Sequence, residues 1–418
     1  MIQYNFNDVC RYGPDEFPER GPMTLNRYEQ AIVGNADFFM KMQDESGFIK
    51  IPADEYYGVA GDASLIGHAI SVRTYAWMLT GEAKYLDSAR TSAHFLAERQ
   101  DPKGGWHNDA GYSLDAAQCV MEGFCTYERL SRDAQFHDVF VRAADRMISG
   151  TVTPDGEQLI GNLTECGEYA HFSFMAWKLS GLERHRLGGE AILKNIMDNF
   201  DVDAGYWNTA VEPEVGGMMN AMKLCLNPIL RLAVAHSNMK GKSIAKISEF
   251  MLPLVIKGHA PQYSLGMMDA ESLLDTHDGS LKLPRLRKQT ARAITWVETH
   301  CAGPVPGSLV ESKVVPERDA VYPLRAINNT ENASLWPTAA YLLALVGMND
   351  ATVYETRARL VAEWIVSMQD GDGGFWTHED ASGRRFGEKY GNINFYGSMS
   401  LWYFNAIYER GSEPEPPA

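Results

Sequence analysis

Two kinds of helical segment alternate along this chain. The segments at 68–79 (HAISVRTYAWML) and 339–346 (AAYLLALV) are apolar on almost every side, which predicts helices that are buried all round. The segments at 85–100 and 354–369 each carry one polar face, which predicts helices with one side in solvent. The alternation therefore predicts inner helices that are shielded by outer ones.

The connections between these segments have two lengths. Short polar turns follow the inner segments: TGEAKY (80–85), SRDAQF (131–136), SGLERH (180–185), SNMKGK (237–242) and GMNDAT (347–352). Long loops rich in glycine, aspartate and aromatic residues follow the outer segments: 43–62, 100–115, 151–167, 200–217, 257–263, 301–331 and 369–394. This spacing predicts outer helices starting near 24, 83, 135, 184, 241, 285 and 351, and inner helices starting near 62, 113, 167, 217, 263, 332 and 395.

A repeated hairpin of this kind predicts an all-α fold, an α/α toroid or barrel. An array of repeats buries its core only by stacking neighbours, and closing the array into a ring removes its exposed ends. We count about seven helical hairpins, (α/α)7, and the irregular fifth and sixth units leave (α/α)6 open. Residues 1–410 are predicted to form one catalytic domain, and GSEPEPPA (411–418) has the composition of a disordered tail.

Glycine-rich turns after the outer helices carry a family resemblance. Gln100-Asp-Pro-Lys-Gly104-Gly-Trp106 and Gln369-Asp-Gly-Asp-Gly373-Gly-Phe375-Trp376 resemble the Q-x-x-x-G-x-W turns of terpenoid cyclases and other α/α-toroid proteins, and Gln43 to Phe48 is a degenerate third copy. The resemblance implies the toroid and says little about chemistry, because one fold hosts many functions.

Charge and composition make some classes of binding partner unfavourable. The net charge is -16 with an isoelectric point near 5.2, so nucleic acid and anionic membranes are unfavourable partners. No apolar run approaches the roughly 20 residues that span a bilayer, and MIQYNFNDVC at the start has no signal-peptide pattern, so we expect a cytoplasmic protein. Six cysteines without a C-x-x-C pair or a neighbouring histidine predict free thiols and no metal site, and we expect no cofactor.

The long loops concentrate aromatic, amide and charged side chains. Aromatic faces stack on the C–H faces of sugar rings while polar groups bind hydroxyls, so this mixture predicts a carbohydrate substrate. The predicted substrate-binding residues are Trp106, His107, Asn108, Tyr112, Asp115, Glu168, His171, Trp207, Asn208, Arg325, Asn329, Trp376, Arg385 and Tyr396.

One group of loop residues suits β-elimination from a uronate. Around His259, Arg318 and Tyr322 the chain resembles the α/α-barrel polysaccharide lyases that act on alginate or glucuronan. The resemblance implies that Tyr322 is base and acid, that His259 assists it, and that Arg318 or Arg325 neutralises the substrate carboxylate. The chain departs from the family where Gly258 precedes His259, because the family has an asparagine beside this histidine. A polysaccharide lyase is the first functional hypothesis.

Glycoside hydrolysis by paired carboxylates is the alternative. Its candidates are Asp62, Asp115, Glu165, Glu168, Glu212 and Glu214. Terpenoid cyclisation is less favoured, because Asp201-Val-Asp203-Ala204 falls short of the D-x-D-D protonation motif and the loops are too polar to shelter a carbocation.

Overall fold

The structure, a computed structural model, describes residues 24–50, 61–108, 111–112, 114–151, 172–177, 179–198, 200–203, 206–207, 283–310, 331–348, 350–387, 389 and 393–409. The outer helices are α1 (Arg27–Met42), α3 (Ala83–Ala97), α5 (His137–Thr151), α6 (Glu183–Asp198), α7 (Leu283–His300) and α9 (Ala351–Ser367). The inner helices are α2 (Gly61–Thr80), α4 (Leu114–Ser131), α8 (Leu335–Met348) and α10 (Ile393–Phe404). Residues 172–177 and 179–180 are also helical. No helix in these ranges is both long and apolar enough to cross a membrane.

The inner helices are apolar all round because they are packed on all sides. Ile66, Ile70 and Val72 of α2 are fully buried, and so are Leu342 and Leu345 of α8. Aromatic rings fill the space between these helices, as where Tyr75 of α2 stacks on Trp402 of α10 with ring centroids 4.6 Å apart. The outer helices bury one face only, which matches their single apolar stripe.

The motif glutamines join each outer helix to the next one. The side-chain amides of Gln43, Gln100 and Gln369 donate to the carbonyls of Ser88, Val139 and Ala31, at 3.2, 2.8 and 2.7 Å. These acceptors lie on, or at the start of, the outer helix that follows in the ring. The motif therefore specifies an inter-helix joint as well as a turn.

A glycine in each turn completes the joint. Gly47, Gly104, Gly307 and Gly373 all have positive φ angles, between 84° and 97°. A Cβ on any of them would press against a carbonyl of the next outer helix, namely that of Thr91, Arg142, Leu360 or Gly34 respectively. In the three joints with a motif glutamine, this carbonyl lies three residues beyond the one that the glutamine binds. The turn requires glycine both for its backbone conformation and for this close approach.

The joints close a ring of six described outer helices. The turn after α9 docks on α1, so the last hairpin meets the first helix. Asn35 of α1 donates to Asn394 at 3.0 Å and accepts from the Ser398 hydroxyl at 2.8 Å, which adds a buried polar seam between α1 and α10. Elsewhere α5 contacts α6, and α6 contacts α7. Of the two ring sizes predicted, these contacts favour six; the outer helix predicted near 241 lies outside the described residues.

Short antiparallel strands decorate the ends of the long connections. β1 (His107–Asn108) pairs with β2 (Gly111–Tyr112), and β3 (Phe200–Asp201) pairs with β4 (Tyr206–Trp207). A four-stranded sheet has the order β5 (Leu309–Val310), β6 (Ala333–Ser334), β7 (His378–Glu379) and β8 (Arg385–Phe386). The predicted all-α toroid is confirmed, and the predicted starts agree with the described helices to within about five residues.

Candidate active site

The inner helices present their N-termini at one end of the ring. Every long connection leaves an outer helix and enters an inner one, so α2, α4, α8 and α10 run parallel and begin on the same face, called the loop face here. A helix N-terminus carries partial positive charge and free N–H groups, which favour bound carboxylates and hydroxyls. The loop face is therefore the place where this ring can hold a polar ligand.

Helices α2 and α4 approach each other more closely than the remaining inner pairs described. A Cβ on Gly67 would run into the backbone of Cys119 and Val120, and one on Gly123 would run into the Gly67 carbonyl. Glycine at both positions lets the two backbones touch, which brings the axes to or below the usual roughly 8–10 Å. The first turns of α2 and α4 are consequently neighbours.

Two acidic residues occupy matching places on these first turns. Asp62 is the second residue of α2, and Asp115 is the second residue of α4. Asp62 precedes Gly67 by five residues, and Asp115 precedes Cys119, which faces Gly67, by four. At about 1.5 Å per residue the two positions lie at about the same height above the crossing.

A titratable group lies beneath Asp115 on the same stripe of α4. Glu122 follows Asp115 by seven residues, or two turns, and its side chain is buried. Burial raises the pKa of the Glu122 carboxyl to about 6, against the opposing effects of the Thr126 hydrogen bond and the positive charge of Arg129. The interior of the barrel thus holds a carboxyl group whose pKa lies above its usual range. Sequence reasoning missed it, although an acid seven residues after another acid in a buried helix was the available signal.

Aromatic rings close the barrel below the first turns. His68 of α2 stacks on Phe395 with ring centroids 4.2 Å apart, and Tyr396 meets His68 edge-on at 5.5 Å. Tyr396 also meets Trp336 of α8 edge-on at 6.2 Å. All four side chains are less than 5% exposed. Tyr396, predicted to bind substrate, therefore lies in the floor under the loop face, and this binding role stays a prediction.

Trp106 is also buried by packing, in the turn after α3. Its indole N–H donates to the Leu96 carbonyl at 2.9 Å, its ring stacks near Phe124, and its side chain is 2% exposed. These contacts give Trp106 a packing role in the turn after α3, as the aromatic of the Q-x-x-x-G-x-W resemblance implies. Its predicted contact with substrate is not tested by them.

Trp376 and Arg385 are predicted binding residues on the loop face whose side chains the structure describes, and both are at least partly exposed. The Lys389 ammonium lies 4.5 Å from the centroid of the Trp376 ring, and it pairs with Asp370 and Asp372 at 2.8 and 2.5 Å. One face of the indole is thereby held against a cation that is itself fixed by two carboxylates.

Arg385 in β8 is held by Glu379 of the neighbouring strand. The distance from Arg385 Nε to Glu379 Oε1 is 3.5 Å, and the second carboxylate oxygen accepts the indole N–H of Trp364 at 2.7 Å. Glu379 is buried and holds the guanidinium of Arg385 at Nε, while the Arg385 side chain remains partly exposed.

The other predicted binding residues are placed only in part. His107, Asn108 and Tyr112 lie in the β1–β2 hairpin, where His107 is opposite Tyr112, and Trp207 lies in β4 opposite Phe200. Tyr322, His259 and Arg318, the predicted catalytic set, lie outside the described residues, as do Glu168, His171, Asn208, Arg325 and Asn329. Within the described part of the chain, no group of three or more histidine, cysteine, aspartate or glutamate side chains is arranged to hold a metal ion.

Comparison with known proteins identifies the fold. No family model matches the chain, and no curated protein matches its sequence. An unsaturated glucuronyl hydrolase specific for heparin superposes with a TM-score of 0.59 at 11% identity, over 91% of this chain and 97% of that one. A sugar epimerase from a ruminal bacterium gives 0.57 at 12%, over 90% and 97%. A polysaccharide lyase gives 0.55 at 12%, over 91% and 98%. The chain thus has the α/α-toroid fold that these carbohydrate-active enzymes share.

Proposed function

We propose that this protein is a carbohydrate-active enzyme that hydrolyses a uronate-containing oligosaccharide, with Asp62 and Asp115 as its paired carboxylates. One observation carries the proposal. The two aspartates are the second residues of two parallel inner helices whose backbones touch at Gly67 and Gly123. Among the described inner helices, α2 and α4 are also the pair that packs most extensively.

The spacing of the two helices suits the chemistry. In most glycoside hydrolases one carboxylic acid protonates the departing oxygen while a second carboxylate activates water or attacks the sugar. The two carboxyl groups stand roughly 6.5–9.5 Å apart in inverting enzymes and about 5–5.5 Å apart in retaining ones. First turns of helices whose axes lie at or below about 8–10 Å can present carboxyl groups at such separations.

The electrostatics favour different roles for the two groups. Both aspartates lie in the first turn of a helix, and a helix N-terminus favours an ionised carboxylate, so this effect suits either of them as the base or nucleophile. Asp115 has Glu122 two turns below it on the same helix. Glu122 lies about 10 Å below Asp115 along the helix, so a negative charge at Glu122 adds a weak preference for the protonated form of Asp115, which suits Asp115 as the proton donor.

A uronate substrate is supported by one positively charged side chain at the loop face and by the proteins of similar fold. Arg385, anchored by Glu379, places a positive charge at the loop face. The glucuronyl hydrolase and the polysaccharide lyase with this fold both have names that point to acidic or polymeric sugars. β-Elimination by Tyr322, with His259 and Arg318, is the second candidate function, supported by the resemblance described above and by the shared fold of that lyase.

One assay separates these functions. The protein would be incubated with saturated and 4,5-unsaturated uronate oligosaccharides and with neutral glycans, following near-ultraviolet absorbance and new reducing ends together. Hydrolysis of a saturated substrate gives reducing ends without an absorbance change, and hydrolysis of an unsaturated uronide gives reducing ends with falling absorbance. Rising absorbance identifies the lyase. A panel without any of these signals contradicts the proposal of a carbohydrate-cleaving enzyme.

A further inference from the structure

Two of the glutamine turns differ at the residue that follows their buried anchor. Six residues after the motif glutamine, Ile49 and Phe375 are both fully buried. The next residue is Lys50 in one turn and Trp376 in the other, and in both its backbone N–H donates to the residue before the glutamine, at 2.9 Å. These two positions are therefore equivalent. Lys50 is exposed, so the turn itself does not require a large packed side chain where Trp376 stands.

Part of the Trp376 side chain is accessible to a ligand. The side chain is partly exposed, and no described residue accepts its indole N–H. The indole N–H groups of Trp106 and Trp364 are instead bonded to the Leu96 carbonyl and the Glu379 carboxylate, at 2.9 and 2.7 Å. A packed tryptophan usually has a partner for this group, so Trp376 is the one of these three that retains a donor for a ligand.

The Lys389 ammonium covers one face of this indole. It lies 4.5 Å from the ring centroid, and the lysine side chain is only 10% exposed. Because Lys389 is itself buried, the face that it covers is the inner one, and the exposed part of the indole lies away from it. The ammonium donates to Asp370 and Asp372 at 2.8 and 2.5 Å. It therefore moves only if two charge-assisted hydrogen bonds break.

The Asn394 side chain fixes the backbone on both sides of this contact. It accepts the Phe375 N–H at 2.6 Å, and it donates to the carbonyls of Phe375 and Lys389 at 2.9 and 2.5 Å. Phe375 directly precedes Trp376, so one amide holds the main chain beside the indole and the main chain of the lysine. Side-chain and backbone contacts together hold the indole in one orientation.

Arg385 brings a second binding group to the same cluster. The hydrogen bond from Lys389, a backbone hydrogen bond and the positive charges of Lys389 and Arg385 hold the pKa of Asp370 below its usual range. The guanidinium is thus near the Asp370 carboxylate, and Glu379 holds its Nε at 3.5 Å. An aromatic ring near a guanidinium suits a sugar with a carboxylate, because the ring stacks on C–H groups while the guanidinium binds the carboxylate.

We propose that Lys389 is a positioning residue, which holds the Trp376 indole near Arg385 as a subsite for a uronate sugar. The inference rests on the proposed function for its substrate, and it adds a subsite and the residue that shapes it. A side chain that becomes ordered on binding lowers the affinity. Lys389 orders the indole before the sugar arrives, so it acts on binding and not on bond cleavage.

Steady-state kinetics of the full chain test this role, on the uronate oligosaccharide that the panel identifies. In Lys389→Met, KM should rise about fivefold, as expected when one side chain is no longer ordered in advance, while kcat should stay within about twofold of wild type. Lys41→Met is the matched control, because it removes an exposed lysine that donates to the Asp372 carbonyl at 3.2 Å. Its KM should equal that of the wild type. An unchanged KM in Lys389→Met, with or without a lower thermal midpoint, overturns the proposal.

A second variant covers the case in which Lys389→Met does not fold. That change leaves Asp370 and Asp372 without their shared cation. The double variant Asp370→Asn/Asp372→Asn instead keeps the lysine and removes the charges that fix its ammonium. It should show the same rise in KM, and a wild-type KM in this variant equally overturns the proposal.

Two small probes separate the subsite from the cleavage reaction. Methyl glucuronide and methyl glucoside differ in the carboxylate, and their binding to the Asp115→Asn protein would be titrated by ligand-observed NMR. Trp376→Ala should weaken both probes, and Arg385→Gln should weaken the glucuronide alone. Arg384→Gln, whose side chain is held by Asp380 at 3.0 Å, should weaken neither.

The outcomes distinguish this inference from the proposed function. If no oligosaccharide is cleaved, glucuronide binding that depends on both Trp376 and Arg385 still supports the subsite. If cleavage depends on the carboxylate pair while Trp376→Ala binds the glucuronide as tightly as its parent, the subsite alone is wrong. Absence of any glucuronide binding to the parent protein also overturns it.

Discussion

The outer ring and the loop face of this molecule differ in how far their residues repeat from one helical hairpin to the next. In the ring, one joint recurs with a glutamine and, four residues later, a glycine, as at Gln43, Gln100 and Gln369. In the described part of the loop face, the recurring residues are Asp62 and Asp115, and the described connections differ in their other side chains. The repeated joints of the ring fix where the described inner helices stand. The side chains at the loop face then differ from one of these helices to the next.

Because the two regions differ in this way, we expect the joints to determine the stability of the fold and the loop face to determine the chemistry. A change in a joint should affect folding and leave the chemistry of the surviving folded protein intact. A change at the carboxylate pair should do the reverse. Variants that cross this division, damaging both properties or neither, would show that the division is wrong.

The largest effect is expected at the carboxylate pair. Asp62→Asn and Asp115→Asn keep the size of each side chain and remove its charge and its proton. Because general acid–base groups contribute about 10²–10⁴-fold each, turnover of the substrate found in the panel should fall by at least about 10²-fold in each variant. The thermal midpoint should stay close to that of the wild type.

Asp350→Asn is the matched control for this pair. Asp350 is also an acidic residue at a helix start, but it precedes the outer helix α9 on the short-turn side of the ring. Its variant should turn over substrate at the wild-type rate. Turnover of Asp115→Asn within about threefold of wild type would move the chemistry to Tyr322 and its neighbours.

The next effect is expected at the joint that closes the ring. Gly373 has φ 97°, and a Cβ there would press into the Gly34 carbonyl of α1. Gly373→Ala should lower the free energy of unfolding by about 3 kcal/mol, from backbone strain and overpacking together, as measured by urea denaturation. Gly371→Ala, two residues earlier, meets nothing within 4 Å and should change stability by less than about 0.5 kcal/mol. Similar losses in both variants would contradict the tight joint.

A smaller effect is expected from Glu122 inside the barrel. Burial raises its pKa from 4.5 to about 6, so its contribution to stability is fully present below pH 4.5 and is lost as the pH rises through about 6. Glu122→Gln removes this loss and should be more stable than wild type by about 2 kcal/mol at pH 8, with no advantage near pH 4. The exposed Glu45→Gln serves as control. An advantage that does not depend on pH would show that the charge of Glu122 is not its cause.

The positions of the outer helices could be predicted from the sequence because they depend on patterns within short stretches of the chain. Helical periodicity, two loop lengths and the Gln–Gly spacing located α1, α3, α6 and α9 to within about three residues. The number of hairpins was harder, since α6 and α7 are neighbours in space while 84 residues lie between Asp198 and Leu283. Contacts between distant segments leave no periodic signal in one chain.

The candidate site could be predicted from the sequence only in part, for two physical reasons. An aromatic residue looks the same in sequence whether it binds ligand or packs. Trp106 and Tyr396 are buried, and their contacts with substrate stay predictions. The seven-residue spacing of Asp115 and Glu122 was visible in the sequence, but the raised pKa of Glu122 was not, because a pKa depends on what surrounds the group in three dimensions. The matched positions of Asp62 and Asp115 were visible in the repeats, but their proximity depends on the glycine crossing.

A crystal structure of Asp115→Asn with its intact oligosaccharide tests most directly whether the carboxylate pair of α2 and α4 performs the chemistry. We expect the glycosidic bond to lie at the loop face between Asp62 and Asn at position 115, each within about 3–4 Å of the reacting atoms or of one bridging water. A substrate whose scissile bond lies against the Tyr322 hydroxyl, with Asp62 more than about 10 Å away, would contradict it.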